Sequence, residues 1–400
     1  MPDRFAGIKG PLGPIADGFA SELSGLGYKP AAASRQLCLL ADLSEWLEDV
    51  GVAPAGLTTE VVAEFLQARR RGGQTRLVSP MGIGTLVGYL RGAEVVPEAS
   101  RRVPAGPIEQ LRERYYRFLV NDRGLAEAVV AQYETGARLF MDFVAGRDVD
   151  LLDVSAHDVS TFVTRHCAQP VKLAPPELAS TLRSFLRFLH VEGVTTLPLA
   201  QAVPTVASRN DNSLPKALPP GQAGRLLRSC DRRTARGRRD YAILVLLVRL
   251  GLRVGEIVAL RLEDFDWRAG EVVVHGKGRR DDRLPLPADV GEAVVGYLHR
   301  GRPRTDCRAL FVRTAAPLRG LTPKAVSQVV YSACDRAGVP RAGAHRLRHT
   351  LATQLLASGS SLVEIGQVLR HRSISTTAIY ARVDHVALRE LAMPWPGGVA

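Results

Sequence analysis

Six side chains in the second half of the sequence carry groups able to act on a phosphate ester: Arg253, Lys277, His345, Arg348, His371 and Tyr380. They fall in four segments, "LGLRVGEIVALRLEDFDW", "GKGRR", "HRLRHTLATQLL" and "LRHRSISTTAIYARV". Taken singly, each group has a plainer reading: Arg253 as a helix cap, the lysine turn as solvated surface, His345 with Arg348 as a surface pair, Tyr380 as packing. Taken together they select one chemistry. Arginine forks bind phosphate oxygens in pairs and keep their protons, so they neutralise the charge that builds on a pentacoordinate phosphorus. Histidine and lysine can move protons. A tyrosine, with an ordinary pKa near ~10, becomes an oxygen nucleophile where cations and a base ease its ionisation. The sequence has no HExxH pair, no Walker-type glycine loop and no Ser-His-Asp order. What remains is transesterification of a phosphodiester through a phosphotyrosyl enzyme, with no metal and no nucleotide cofactor.

Each of these groups needs an element to hold it. Arg253 sits between the apolar run "YAILVLLVRLGL" and a new helix that starts near Val254 or Gly255. That run is too short to span a bilayer and reads as a buried helix. Lys277 falls in the turn of a hairpin, "EVVVHGKGRRDDRLPLP", whose β-branched alternation ends in a polar glycine turn with Arg279 and Arg280 beside the lysine. His345 and Arg348 are three apart and therefore share a helix face at its amino-terminal end, where the dipole favours an anion. His371 and Tyr380 flank the entry "RSISTT".

The first half repeats itself. Gly27 matches Gly124, Trp46 matches Phe143, Thr58 matches Ser155 and Phe65 matches Phe162, all at one constant spacing. With one residue deleted, Thr85, Leu86, Tyr89 and Leu90 fall on Thr181, Leu182, Phe185 and Leu186. Each copy predicts two helices, a short helix opened by a capping hydroxyl, and a final helix. The proline- and glycine-rich stretches "ASRRVPAGP" and "VPTVASRNDNSLPKALPPG" are linkers. The expected fold is mainly α with tandem helical N-terminal domains and a small antiparallel β-sheet in the C-terminal catalytic domain.

With 400 residues, more than one hydrophobic core is expected. The formal charge of +13 asks for a polyanionic partner, nucleic acid or an anionic membrane. Five scattered cysteines with no CxxC pair argue against both a disulfide framework and a zinc site. The first thirty residues lack the pattern of a signal peptide, so a cytoplasmic protein is expected.

The four segments, in their order and spacing, resemble the catalytic boxes of the tyrosine recombinase (phage integrase) family over roughly residues 215 to 390. The upstream repeats are similar to that family's core-binding (SAM-like) domain, present twice where the usual plan has one. The resemblance implies three domains: 1–100 and 107–206 as the two helical copies, and 215–400 as the catalytic domain. It implies a site-specific DNA recombinase or integrase, of mobile-element type, that joins DNA to Tyr380 as a 3′-phosphotyrosine. By the same resemblance Arg253 and Arg348 bind the scissile phosphate, His345 and His371 complete the pocket, and Lys277 protonates the departing 5′-oxygen. Glu256, one turn after Arg253, is a supporting residue. The implied partner is double-stranded DNA bound by a homo-tetramer on paired sites, alone or with related recombinases. Such a protein would be nucleoid-associated and have no membrane partner. Arg279 and Arg280, and the cluster Arg69, Arg70 and Arg71 in "QARRRGGQTR", are the expected phosphate contacts. One departure is Arg370, where relatives commonly have glycine. Two rival readings are a type IB topoisomerase-like nicking and resealing enzyme, and a non-catalytic DNA-binding regulator. The stretch "VDHVALRELAMPWPGG" beyond Tyr380 suits docking on a neighbouring protomer and favours recombination; a regulator has no reason to keep all six groups.

Overall fold

In a computed structural model of the chain the described residues are 8–96, 106–125, 127–147, 149–167, 173–204, 217–276, 280–371, 377 and 380. The chain forms two compact units, residues 1–99 together with 214–400, and residues 100–213.

Within the first unit, α1 (Ala16–Gly25), α2 (Pro30–Asp49), α3 (Thr59–Arg71) and α4 (Pro80–Gly92) enclose their own core, with Phe19, Leu40, Leu43, Phe65, Leu86 and Leu90 buried. The second unit contains α5 (Pro107–Arg117), α6 (Glu127–Ala145), α7 (Ala156–Cys167) and α8 (Pro175–Val191) around Tyr115, Phe140, Phe162 and Phe185. The two sets of helices share local features at positions that the sequence aligns. Thr58 accepts a hydrogen bond from the Val61 amide at the start of α3, and Ser155 accepts one from the Asp158 amide at the start of α7. Trp46 packs on Phe65 with ring centroids 5.6 Å apart, and the matching Phe143 packs on Phe162 at 5.3 Å. Gly27 and Gly124, which precede α2 and α6, both have positive φ.

The remainder of the first unit begins with α9 (Gln222–Arg228), α10 (Ala235–Arg249) and α11 (Val254–Ala259). Residues Ala242 to Leu247 of α10 are buried without interruption, as a helix apolar on every face must be. An antiparallel sheet of three strands follows, β1 (Phe265–Asp266), β2 (Glu271–Gly276) and β3 (Arg280–Pro285) in that order. The expected hairpin is β2 with β3, in register from Glu271 opposite Pro285 to Gly276 opposite Arg280. Val272 and Val274 point into the core from β2, which fixes the register because a slip of one residue would expose both. Then come α12 (Ala288–Arg300), α13 (Pro323–Ala337), α14 (Ala344–Ala357) and α15 (Leu362–Leu369). No described helix is long and apolar enough to cross a membrane.

Candidate active site

Two residues past α10 lies Gly251, whose φ of +57° suits glycine; an added Cβ would also lie 2.8 Å from a Leu369 methyl and 3.0 Å from a Leu351 methyl. The turn delivers Arg253 to the N-cap of α11 in extended conformation. There the Glu256 carboxylate accepts from the Arg253 amide (2.8 Å) and from its Nη1 (2.6 Å). Glu256 thus supplies the acidic half of a capping box. Arg253 keeps 43% of its side chain exposed while Glu256 keeps 4%, so the carboxylate anchors the guanidinium and leaves its outer edge to solvent. Burial alone would raise the Glu256 pKa; the Arg253 amide, the charge of Arg370 and the Arg253 side chain outweigh it and hold the carboxyl below its usual value.

Arg348 lies one turn into α14 and is 2% exposed. It donates Nη1 to the Gly251 carbonyl at 2.5 Å and Nη2 to the Leu369 carbonyl. A guanidinium buried against two neutral acceptors keeps surplus positive charge, which an anion can satisfy. Burial, with repulsion from Arg253 and Arg370, draws its pKa down to about 10, so it stays protonated at neutral pH.

The titratable rings form a connected row. His345 meets His349 edge-on at 4.4 Å between centroids, four residues along one face of α14. His349 meets Tyr380 at 5.6 Å, and its Nδ1 lies 2.7 Å from the Tyr380 hydroxyl oxygen. Tyr380 lies parallel to His371 at 6.4 Å. The His371 Nδ1 is 2.8 Å from the Thr377 hydroxyl. Burial lowers all three histidines, aided by the positive charge of Arg348. His349 and His371 fall to about 4, so both are neutral at physiological pH.

Tyr380 is 1% exposed and shares an apolar cluster with Ala352, Ile365 and Leu369. Burial pushes its phenol up to about 12, against the opposing pull of Arg348. In this position the hydroxyl is hydrogen-bonded to His349 and protonated at neutral pH.

Of the residues expected from sequence, Arg253, Glu256, His345, Arg348, His371 and Tyr380 are thus linked by direct contacts or shared electrostatic fields. Lys277 and Arg279 lie outside the described residues, as does the stretch beyond Tyr380. Arg280 opens β3, opposite Gly276. Next to the hairpin turn, His275 is clamped between Asp281 (2.7 Å) and Asp264 (3.0 Å), which ties β2 to β3 and to the segment before β1. The arginines of the α3 cluster differ in their surroundings. Arg69 pairs with Asp42 and lies over the Phe65 ring, with 11% of its side chain exposed. Arg70 and Arg71 are both exposed at the helix end, and Arg70 donates to the Val78 carbonyl from both Nε and Nη2. Sequence reasoning passed over His349, although its spacing of four from His345 already placed the two on one face.

Residues 216–386 match the phage integrase family, and residues 113–193 match the phage integrase N-terminal SAM-like domain. The integrase/recombinase-type protein y4rA of Sinorhizobium fredii is 39% identical over 402 residues, 98% of this chain and 97% of its own. Tyrosine recombinase XerC of Oceanobacillus iheyensis is 30% identical over 298 residues, 72% of this chain and 95% of its own. Among solved structures, XerH site-specific recombinase bound to palindromic difH substrate gives a TM-score of 0.57 at 18% identity, covering 82% of this chain and 93% of its own. A λ integrase dimer bound to a COC′ core site gives 0.52 at 17% identity, covering 67% and 96%. The chain belongs to the phage integrase family, the tyrosine recombinases. It is accordingly a site-specific DNA recombinase with this family's mainly helical fold and small antiparallel sheet.

Proposed function

We propose that Tyr380 is the nucleophile of strand cleavage and that Arg253 and Arg348 clamp the scissile phosphate. The observation that supports this reading is the clustering of the buried Arg348 guanidinium, the half-exposed Arg253 and the His345–His349–Tyr380–His371 row through direct contacts and shared charge. The phenol oxygen attacks phosphorus, its proton passes to a neutral imidazole, and the bond from phosphorus to the 5′-oxygen breaks. Lys277 returns a proton to that oxygen. The 3′-phosphotyrosine conserves the ester, so a partner strand's 5′-hydroxyl reseals it with no nucleotide cofactor. His345 and His371 complete the phosphate pocket.

On this reading residues 1–100 and 107–206 act as two helical domains that grip double-stranded DNA and residues 215–400 perform the chemistry. Arg279, Arg280, Arg70 and Arg71 are the proposed backbone contacts; Arg69 is left out because Asp42 already holds its guanidinium. The working assembly is a homo-tetramer on paired sites, a reading supported by the family and by the related λ integrase solved as a tetramer on a Holliday junction. The setting is a mobile element acting on the nucleoid.

A nicked suicide duplex carrying the target site tests the chemistry. The wild-type chain should trap a covalent adduct in EDTA, and Tyr380→Phe should bind the duplex with similar affinity yet trap none. An adduct in the phenylalanine variant would assign the attack to another residue.

A further inference from the structure

Arg370 occupies the position just past α15, with φ +55° and ψ +49°. This left-handed conformation suits glycine and strains an L side chain. The turn itself serves the site: the His371 amide reaches back to the Gly366 carbonyl at 2.9 Å, which brings His371 beside Tyr380. Glycine would make the same turn without strain, so the arginine side chain must contribute something that the backbone does not.

Its contacts show what that is. Arg370 is 6% exposed, and its Nη2 donates to Glu256 Oε2 at 2.8 Å across 114 residues of sequence. The same Oε2 accepts the Arg253 amide, and Oε1 accepts the Arg253 Nη1. One carboxylate therefore stands between two guanidiniums. Arg370 takes up part of its negative charge, so that Arg253 is held in place without being fully neutralised. The adjacent Leu369 carbonyl accepts from Arg348. Residues 369–371 are thus a hub that fixes Arg348 through a carbonyl, Arg253 through Glu256, and His371 directly.

We propose that Arg370 is a positioning residue for the phosphate clamp, acting through Glu256 on the orientation and free charge of Arg253. The inference rests on the reading of Arg253 as a phosphate ligand. Misplacing a clamp group by a fraction of its contact distance lowers reaction rate far more than binding, because binding is shared among many phosphate contacts.

The full-length chain and its Arg370→Gly, Arg370→Lys, Glu256→Gln and Arg253→Ala variants, with the Arg370→Gly/Glu256→Gln double variant, would be compared on a suicide duplex. Adduct rate at saturating protein, DNA affinity and melting temperature are read together. Arg370→Gly should melt below the wild-type temperature, because the relief of backbone strain is smaller than the loss of a partner to the buried Glu256 carboxylate. It should bind DNA within about twofold, yet form adduct about 10- to 100-fold more slowly. Arg370→Lys should recover part of the rate, and the double variant should be no slower than Glu256→Gln alone. A wild-type adduct rate in Arg370→Gly, or losses that multiply in the double variant, would overturn the proposal. If Arg253→Ala also cleaves at the wild-type rate, the phosphate clamp itself is wrong; if it is slow while Arg370→Gly is normal, only the role of Arg370 falls.

Discussion

The Nδ1 atom of His349 lies 2.7 Å from the hydroxyl oxygen of Tyr380, 31 residues further along the chain. This bond satisfies a phenol that is otherwise buried among aliphatic side chains, and it fixes the position of the proposed nucleophile in this structure. His349→Leu should leave that hydroxyl without a partner and destabilise the chain by about 1–3 kcal/mol. Adding Tyr380→Phe should recover most of the loss, since the polar group without a partner is then gone. Urea unfolding of the two single variants and the double variant measures this; equal stabilities for His349→Leu and the double variant would remove the bond from the account.

Arg253 and Arg348 are equivalent in the proposed chemistry but not in the fold. Arg348→Ala removes a buried guanidinium and strands the Gly251 and Leu369 carbonyls, so a stability loss of about 2–5 kcal/mol is expected along with loss of cleavage. Arg253→Ala removes a half-exposed side chain. Its main effect should be on the transition state, about 2.7–4 kcal/mol by the usual size of one lost charge stabiliser. Thermal melts beside single-turnover cleavage separate the two: comparable melting temperatures in the two variants would contradict the structural half of this distinction.

Much of the fold is legible in the sequence because its signals are local. The capping hydroxyls Thr58 and Ser155 and the alternating residues of β2 act within one helical turn or one hairpin. The order of the four catalytic segments is also a one-dimensional property. What sequence did not show depends on tertiary approach. Arg370 finds Glu256 only because α15 ends beside α11, and Arg69 turns inward only because Asp42 of α2 is there to meet it. β1 is two residues long and exists by pairing with β2, so no alternation announces it.

The histidines set a pH dependence of defined sign. His349 and His371 have folded values of about 4 against an ordinary 6.5, so between those limits the unfolded chain binds more protons than the native one. Their contribution to stability is whole above about 6.5 and is lost as the pH falls toward 4. His275 is raised by Asp281 and Asp264 and works the other way, contributing fully below 6.5 and losing its effect as the pH climbs through its folded value. Denaturant melts from pH 7.5 to 4.5 should show falling stability in the wild type and a flatter profile in His349→Gln/His371→Gln. An identical slope in the double variant would place the acid sensitivity elsewhere.

The arginine run at the end of α3 divides into inward and outward members, and salt dependence can read the division. Arg69 is ion-paired with Asp42 and turned inward, while Arg70, Arg71 and Arg76 are exposed, Arg70 donating to the Val78 carbonyl. A phosphate contact releases condensed counterions, so each one lost should flatten the slope of log affinity against log salt by about 0.9. Arg71→Ala/Arg76→Ala should therefore flatten it by up to about 1.8 with little change in melting temperature. Arg69→Ala should leave the slope alone and lower the melting temperature, because Asp42 loses its partner and Phe65 its cover. Binding titrations across a salt series decide the matter. A slope change confined to Arg69→Ala would reverse the assignment, and no change in any variant would give the first helical copy a role in contacts between protomers instead of with DNA.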